Sequence, residues 1–504
     1  MGIRLKHLLK RWSEKKKLKE IYPLMIIHLY SLSTASPSSR DIMKMAGKSF
    51  LALSDASKIF SKISTLVEKW GYTLHKAARY VASQISEEGV KKFLQRLSDS
   101  VNVNVDLRDF MRVEYEKMMA NKITEFDRAI ERVKRYIEAY SAIMTSNIFL
   151  SVSMLLTSMI YGIDVNRILI WTIIAVVTSL AFIAFFTSRS LPRDPILHSD
   201  PRRPEKLASI ERMNPIILVT SLSSTSLLIL SPIKLKGFLD PISAPMLLAG
   251  APLLMIGWVG KRWVKSAREM DENYAPFVKS LGDALEVSGS LKSACKVVSI
   301  NDYGPLNKLL KKLGKRLELG FEQGKAVEMF GVESLSNLIL STCRIEADSL
   351  RYGSRQSITS KALHDYILNH LANRKKRKQV AGAIRGLALP LQAIFSAISA
   401  LISVLTKILS GFAKLIYTWF PVITPISENT ITTFFSALML IMAVASSYII
   451  YSIEGDSKFT FTYHLGILLT ISSLIYHLAL LASMKLFNLA SGFMGEMGKI
   501  MEEI

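Results

Sequence analysis

Long uncharged runs alternate along the chain with polar stretches of helical pattern. Residues 143–161 and 168–186 carry no charge and are joined by a short turn at 162–167, which predicts a membrane hairpin. Residues 215–232 and 242–259 predict a second hairpin, and 387–406, 431–451 and 463–483 predict three more spans, giving about seven. The apolar stretch 409–425 holds Lys414, Pro421 and Pro425; it reads as an interfacial loop with Tyr417 and Trp419 at headgroup depth.

The polar stretches are helical too. Ile59, Ile63, Leu66, Val67 and Trp70 recur at three- and four-residue steps, Gly71 breaks the run, and Leu74, Ala77, Ala78 and Val81 begin another. Residues 106–140 read as one long helix, with Asp106, Asp109 and Glu114 placed to suit its dipole. Strand signals are nearly absent. The expected architecture is therefore all-α: a first helical domain at 1–142, four spans at 143–260 interrupted by an irregular loop at 188–213, a second helical domain at 261–385, three spans at 386–484 and a tail at 485–504.

Composition agrees with this division. Of 504 residues, 50% are hydrophobic and 21% charged, and the mean hydropathy is +0.27. The net charge of +23 comes from 64 basic and 41 acidic residues. The first domain, the loop and the second domain together hold 56 of the 64 basic residues. An even number of spans separates each from the next, so all three can face one side, which the positive-inside rule makes the cytoplasm. Seven spans would then leave the C-terminus outside. The apolar run 24–32 is broken by His28 and Tyr30 and lacks a cleavage pattern, so it is not read as a signal peptide.

Motifs for chemistry are few. Cys295 and Cys343 stand alone, without a CxxC companion, and read as small buried hydrophobes. Gly320-Phe-Glu-Gln-Gly324-Lys325 resembles a phosphate loop, but it is one residue short and Ala326 occupies the place of the magnesium-binding hydroxyl, so it reads as a helical corner. His364 and His370 are wrongly spaced for helical ligands, and His464 and His477 have no carboxylate nearby in sequence, so no metal site is expected. Glu318, Glu322 and Glu328, interleaved with Lys315, Arg316 and Lys325, read as a solvated helix face. The run Arg374-Lys375-Lys376-Arg377-Lys378 precedes a span and suits anionic lipid or a protein partner. The span interiors lack Asp, Glu, Lys and Arg, which argues against an ion-coupled transporter. Ala397, Ala400, Ala443, Ser446 and Ser447 suit close helix packing instead.

The two polar domains share a layout. Leu66, Gly71, Leu74, Ala77 and Ala78 in the first resemble Leu285, Gly289, Leu291, Ala294 and Cys295 in the second, and residues 97–110 resemble 313–330, with Asn104 where the second copy has Gly320. With "LVEKWGYTLHKAA", "LGDALEVSGSLKSA", "YGPLNKLLKKLGKRLELG" and "LPLQAIFSAISALI", the chain resembles the F-domain platform proteins of type II secretion and type IV pilus machines, in the archaeal branch that includes archaellum assembly. The resemblance covers about residues 28–483. It implies two cytoplasmic F-type bundles, no enzymatic activity and no cofactor. It also implies a cell-membrane platform that anchors a cytoplasmic hexameric secretion ATPase and couples it to prepilin- or archaellin-like subunits, as a homodimer. The basic surplus suits an acidic partner surface and anionic lipid. Docking candidates are Lys308, Lys311, Lys312, Lys315, Arg316, Arg374, Lys375, Lys376, Arg377 and Lys378. The alternatives are a transporter or channel with cytoplasmic regulatory domains, and a nucleic-acid tether; the second lacks a reading motif, so no nucleic-acid partner is expected.

Overall fold

The computed structural model describes the backbone of residues 2–35, 38–48, 54–161, 164–230, 240–416 and 426–502, and side chains in those ranges except at 2–13, 54–55, 159–160, 230, 411–416 and 488–502. The described chain is helical throughout. The first helices are α1 (Gly2–Ser33), α2 (Ser39–Gly47), α3 (Ser54–Trp70), α4 (Leu74–Gln84), α5 (Glu88–Asn102), α6 (Leu107–Ile160), α7 (Val165–Ser190) and α8 (Glu205–Leu230). The remainder are α9 (Ser243–Ser288), α10 (Leu291–Val298), α11 (Asn307–Glu318), α12 (Gln323–Glu333), α13 (Asn337–Tyr352), α14 (Gln356–Ile416), α15 (Glu428–Glu454) and α16 (Lys458–Glu502). The only β pairing among the described residues is an isolated bridge between Leu197 and Ser336.

One compact unit comprises Met1–Arg128, Pro195–Arg203 and Val264–Lys375. Most of both polar domains thus falls in one body with residues 195–203 of the loop, which carry Arg202 and Arg203, whereas Arg189, Arg193, Lys206 and Arg212 belong to the other unit. A continuous apolar core runs through both polar stretches, taking Ile26, Phe60, Phe93 and Leu97 from the first and Phe277, Phe330, Ile339 and Leu363 from the second. Each such side chain contributes about 1.5–3 kcal/mol by leaving water. Between the stretches, His28 Nε2 sits 3.1 Å from Asp348 Oδ2, the Ser31 and Thr359 hydroxyls are 2.8 Å apart, and Tyr115 donates to the Ala362 carbonyl at 3.2 Å.

The repeat is real, but its register differs from that read in the sequence. Helices α1–α6 correspond to α9–α14, six in each half. α4 packs on α5 as α12 packs on α13. Gly71 after α3 has φ +68° and Gly320 after α11 has φ +79°; Asn104 after α5 has φ +55° and Gly353 after α13 has φ +72°. Gly71 therefore pairs with Gly320, not Gly289, and Asn104 pairs with Gly353, not Gly320. A glycine flanked by Leu and Ala at helical spacing looks alike at every corner of a bundle, so matching glycines slips by whole helices. The true register is visible in Gly71-Tyr72-Thr73-Leu74-His75-Lys76-Ala77 beside Gly320-Phe321-Glu322-Gln323-Gly324-Lys325-Ala326. Asn104 holds the left-handed corner because asparagine tolerates that conformation better than other non-glycine residues.

The segment at 188–213 is irregular over 191–204 and helical at both ends. α7 runs to Ser190 and α8 starts at Glu205, so only the proline-rich centre is irregular. Its residues 195–203 are tied down in the first unit. Asn337 N–H donates to the Ile196 carbonyl at 2.7 Å, His198 N–H donates to the Leu335 carbonyl at 3.1 Å, and His198 Nε2 lies 2.8 Å from the Val332 carbonyl.

The second unit comprises Ala129–Asp194, Pro204–Trp263 and Lys376–Ile504. Among the described residues six helices are long and apolar enough to cross a membrane: α6, α7, α9, α14, α15 and α16. The expected span at 215–232 forms much of α8, which is not among the six; residues 231–239 lie outside those described. The stretch expected as an interfacial loop begins as helix, since α14 continues to Ile416, and Tyr417 and Trp419 lie outside the described residues. Within this unit α9 and α16 approach on glycines. A Cβ on Gly257 would lie 2.5 Å from Tyr463 Cα, and one on Gly466 would lie 2.4 Å from Leu254 N. Ala400, Ala443, Ser446 and Ser447 are buried, and Ser446 hydrogen-bonds Tyr140 at 2.7 Å. Small residues thus let backbones close up where apolar attraction between helices is weak.

Candidate docking surface

α11 separates its residues cleanly. Leu309, Leu310, Leu313 and Leu317 are buried, and Lys308, Lys311, Lys312 and Lys315 are exposed. Arg316 differs from its neighbours, since it turns inward to pair with Glu333, which Lys312 also reaches at 3.4 Å. The run Arg374 to Lys378 is likewise divided by helical spacing. Arg374 pairs with the buried Asp271. Arg377 is buried and donates to the carbonyls of Ile453 at 3.0 Å and Pro192 at 2.8 Å. Lys375 and Lys378 are exposed and Lys376 is half-buried. The densest basic run in the sequence therefore offers two fully exposed lysines, because residues three apart on a helix share a face and that face is packed.

Two corners, both read from the sequence as helix breaks, stand out for what flanks them. Each left-handed glycine after α3 and α11 lies between exposed apolar residues: Trp70 is 71% exposed and Tyr72 42%, Leu319 77% and Phe321 48%. Tyr72 N–H donates back to the Leu66 carbonyl at 3.1 Å and Phe321 N–H to the Arg316 carbonyl at 3.0 Å. These bonds close the helix ends in the manner of a left-handed C-cap. No atom lies within 4 Å of a Cβ built on either glycine. Both helices leading into the corners carry exposed lysines, Lys58, Lys62 and Lys69 on α3 and four on α11. The sequence places Trp70 in the periodic apolar run of α3, and only the structure shows it exposed.

Behind this surface, Asp200 accepts from Arg202 at 3.0 Å and Arg344 at 2.9 Å, while Glu328 accepts from Arg202 at 2.8 Å. Hydrogen bonding from Arg202 holds the Asp200 carboxyl well below the usual range. Burial pushes His198 down, toward the neutral imidazole. Glu328, expected on a solvated face, is thus half-buried and part of an ionic tie. In the second half of the bundle, neither carboxylate oxygen of Glu346 has a hydrogen-bond partner among the described residues. It borders a cavity of about 10 Å³ lined also by Tyr274, Phe277, Phe330 and Cys343, and burial pushes its pKa up to about 7. Cys295 and Cys343 are buried, and burial pushes both thiols up to about 12, so they stay protonated and unreactive at neutral pH.

Gly320 caps α11, and a Cβ on Gly324 would lie 3.3 Å from the Ala347 carbonyl oxygen. Among the described residues no cluster of three or more His, Cys, Asp or Glu is placed to hold a metal. Two histidines do find carboxylates that sequence distance concealed. His464 lies 3.6 Å from Glu454, which also approaches Arg385 at 3.4 Å, and His477 lies 2.6 Å from Asp240.

A compact helical unit built from two six-helix halves, together with six helices of membrane-crossing length, defines an all-α polytopic membrane protein. The chain is 25% identical over 489 residues to "Flagella accessory protein J" of Methanocaldococcus jannaschii, covering 92% of this chain and 85% of that protein. It is 22% identical over 480 residues to the protein of the same name from Methanococcus voltae, with the same coverage. The resemblance to the archaellum branch, drawn from motifs alone, therefore extends to named relatives over nearly the whole chain. No family model matches the chain, and no solved structure does.

Proposed function

We propose that this chain is the membrane platform of an archaellum or a related type IV pilus-like filament machine. In this reading the compact basic unit faces the cytoplasm and anchors a hexameric secretion ATPase, and the membrane helices pass its motion to archaellin- or prepilin-like subunits. The protein works without a cofactor and without catalysing a reaction, as a homodimer in contact with anionic lipid, and it needs no nucleic acid. The observation that carries the reading is that most of two basic domains, far apart in sequence, packs into one compact unit with residues 195–203 between them. Likeness to flagella accessory protein J along 92% of the chain supports it.

The test is binding of the ATPase from the same organism to the full-length chain in nanodiscs. Submicromolar, salt-sensitive binding is expected, together with loss of surface filaments on deletion of the gene. Solute transport by proteoliposomes of the chain alone, with no ATPase binding, would overturn the reading in favour of a transporter.

A further inference from the structure

We propose that Trp70-Gly71-Tyr72 and Leu319-Gly320-Phe321 are twin docking points, each seating on a separate subunit of one acidic, symmetric oligomer. The corners occupy equivalent places in the two halves, after α3 and after α11, and both glycines are left-handed. Each corner holds an aliphatic or aromatic side chain and a second aromatic in water, with closely matched exposures of 71% and 77% before the glycine, and 42% and 48% after it. The backbone of each corner caps its helix, and the space that a Cβ on either glycine would enter is open.

Exposed aromatics on a rigid turn are the side chains that anchor protein interfaces, where desolvated Trp and Tyr carry most of the affinity. The exposed lysines on α3 and α11 that lead into the corners make the complementary surface acidic. A lipid surface would accept apolar and cationic side chains in any arrangement. Two copies of the same corner geometry instead match a partner that presents the same pocket more than once, as the subunits of a closed ring do. Engaging both at once raises the effective concentration of the second contact, so weak single sites add up to firm binding.

The identity of the oligomer rests on the proposed function, where it is the hexameric secretion ATPase. The full-length chain in nanodiscs is titrated with that ATPase. Trp70→Ser with Tyr72→Ser, and separately Leu319→Ser with Phe321→Ser, are each expected to weaken binding by about tenfold, and all four together by about a hundredfold or more. Because the sites are exposed, thermal unfolding of each variant is expected to match the parent, which separates lost docking from lost folding. Parent binding with no loss in the four-site variant overturns the twin corners and leaves the platform reading standing. No binding by the parent overturns both. Quenching of Trp70 fluorescence by brominated anionic lipid without ATPase, taken as the difference from Trp70→Phe, assigns the corner to the bilayer and overturns the docking proposal.

Discussion

Ten residues past its N-cap Glu87, α5 carries Leu97; ten residues past its N-cap Ser336, α13 carries Glu346. Both positions also stand seven residues before a left-handed corner, at Asn104 and Gly353. Leu97 is buried in the shared apolar core, whereas Glu346 is buried without a partner beside a small cavity. The halves thus share corners and caps but differ inside. Corner geometry answers to backbone rules that both copies must obey. Interior chemistry is free to diverge as long as volume is filled.

The comparison can be broken most severely by opening one core. Phe93→Ala in the first half and Phe330→Ala in the second should each cost about 3–5 kcal/mol. Since one apolar core spans both halves, each should lower a single thermal transition, followed by calorimetry on the reconstituted protein. Two separate transitions would show that the halves fold independently.

Exchanging the divergent pair comes next. The folded pKa of Glu346 is raised from 4.5 to about 7, so its contribution to stability is fully present below about pH 4.5 and is lost as pH rises through 7. Above that the ionised form costs about 3 kcal/mol. Glu346→Leu, which copies the first half, should remove the decline between pH 5 and 7 and raise stability at pH 8 by about that amount. Leu97→Glu should introduce the same slope. Unchanged pH dependence in Glu346→Leu would mean that other groups set it.

The corners should matter less. Alanine at Gly71 or Gly320 meets no neighbour but must adopt positive φ, at a cost of about 1–2 kcal/mol each, whereas Asn104→Gly should be close to neutral. Smallest on stability are charge reversals at Lys308 and Lys311, which should shift unfolding by less than about 0.5 kcal/mol while, under the proposed platform role, slowing association with the proposed ATPase and flattening its salt dependence.

Much of this was legible in the residues. Uncharged runs located six of the seven expected spans, 215–232 being the exception, and periodic Leu and Ala located the helices. Asn104 was recognisable as a corner without glycine. What misled was sameness: the corners of a helical bundle resemble one another, so the repeat was matched one step out of register. Composition also misjudged Arg374 to Lys378. A dense basic run reads as surface, yet Arg374 and Arg377 fall on the inward face of α14, where Asp271 and two backbone carbonyls receive them.

The sequence by itself determined what is local: helix or turn, apolar or wet, and a left-handed glycine at a helix end. These follow from side-chain periodicity and backbone sterics within a few residues. Only the tertiary structure decided that most of two distant basic stretches forms one unit with residues 195–203, that His477 meets Asp240, and that Trp70 and Leu319 hold equivalent exposed places. Those facts depend on which helix faces are covered by residues hundreds of positions away. No local pattern encodes that, because the same amphipathic stripe can pack against many partners.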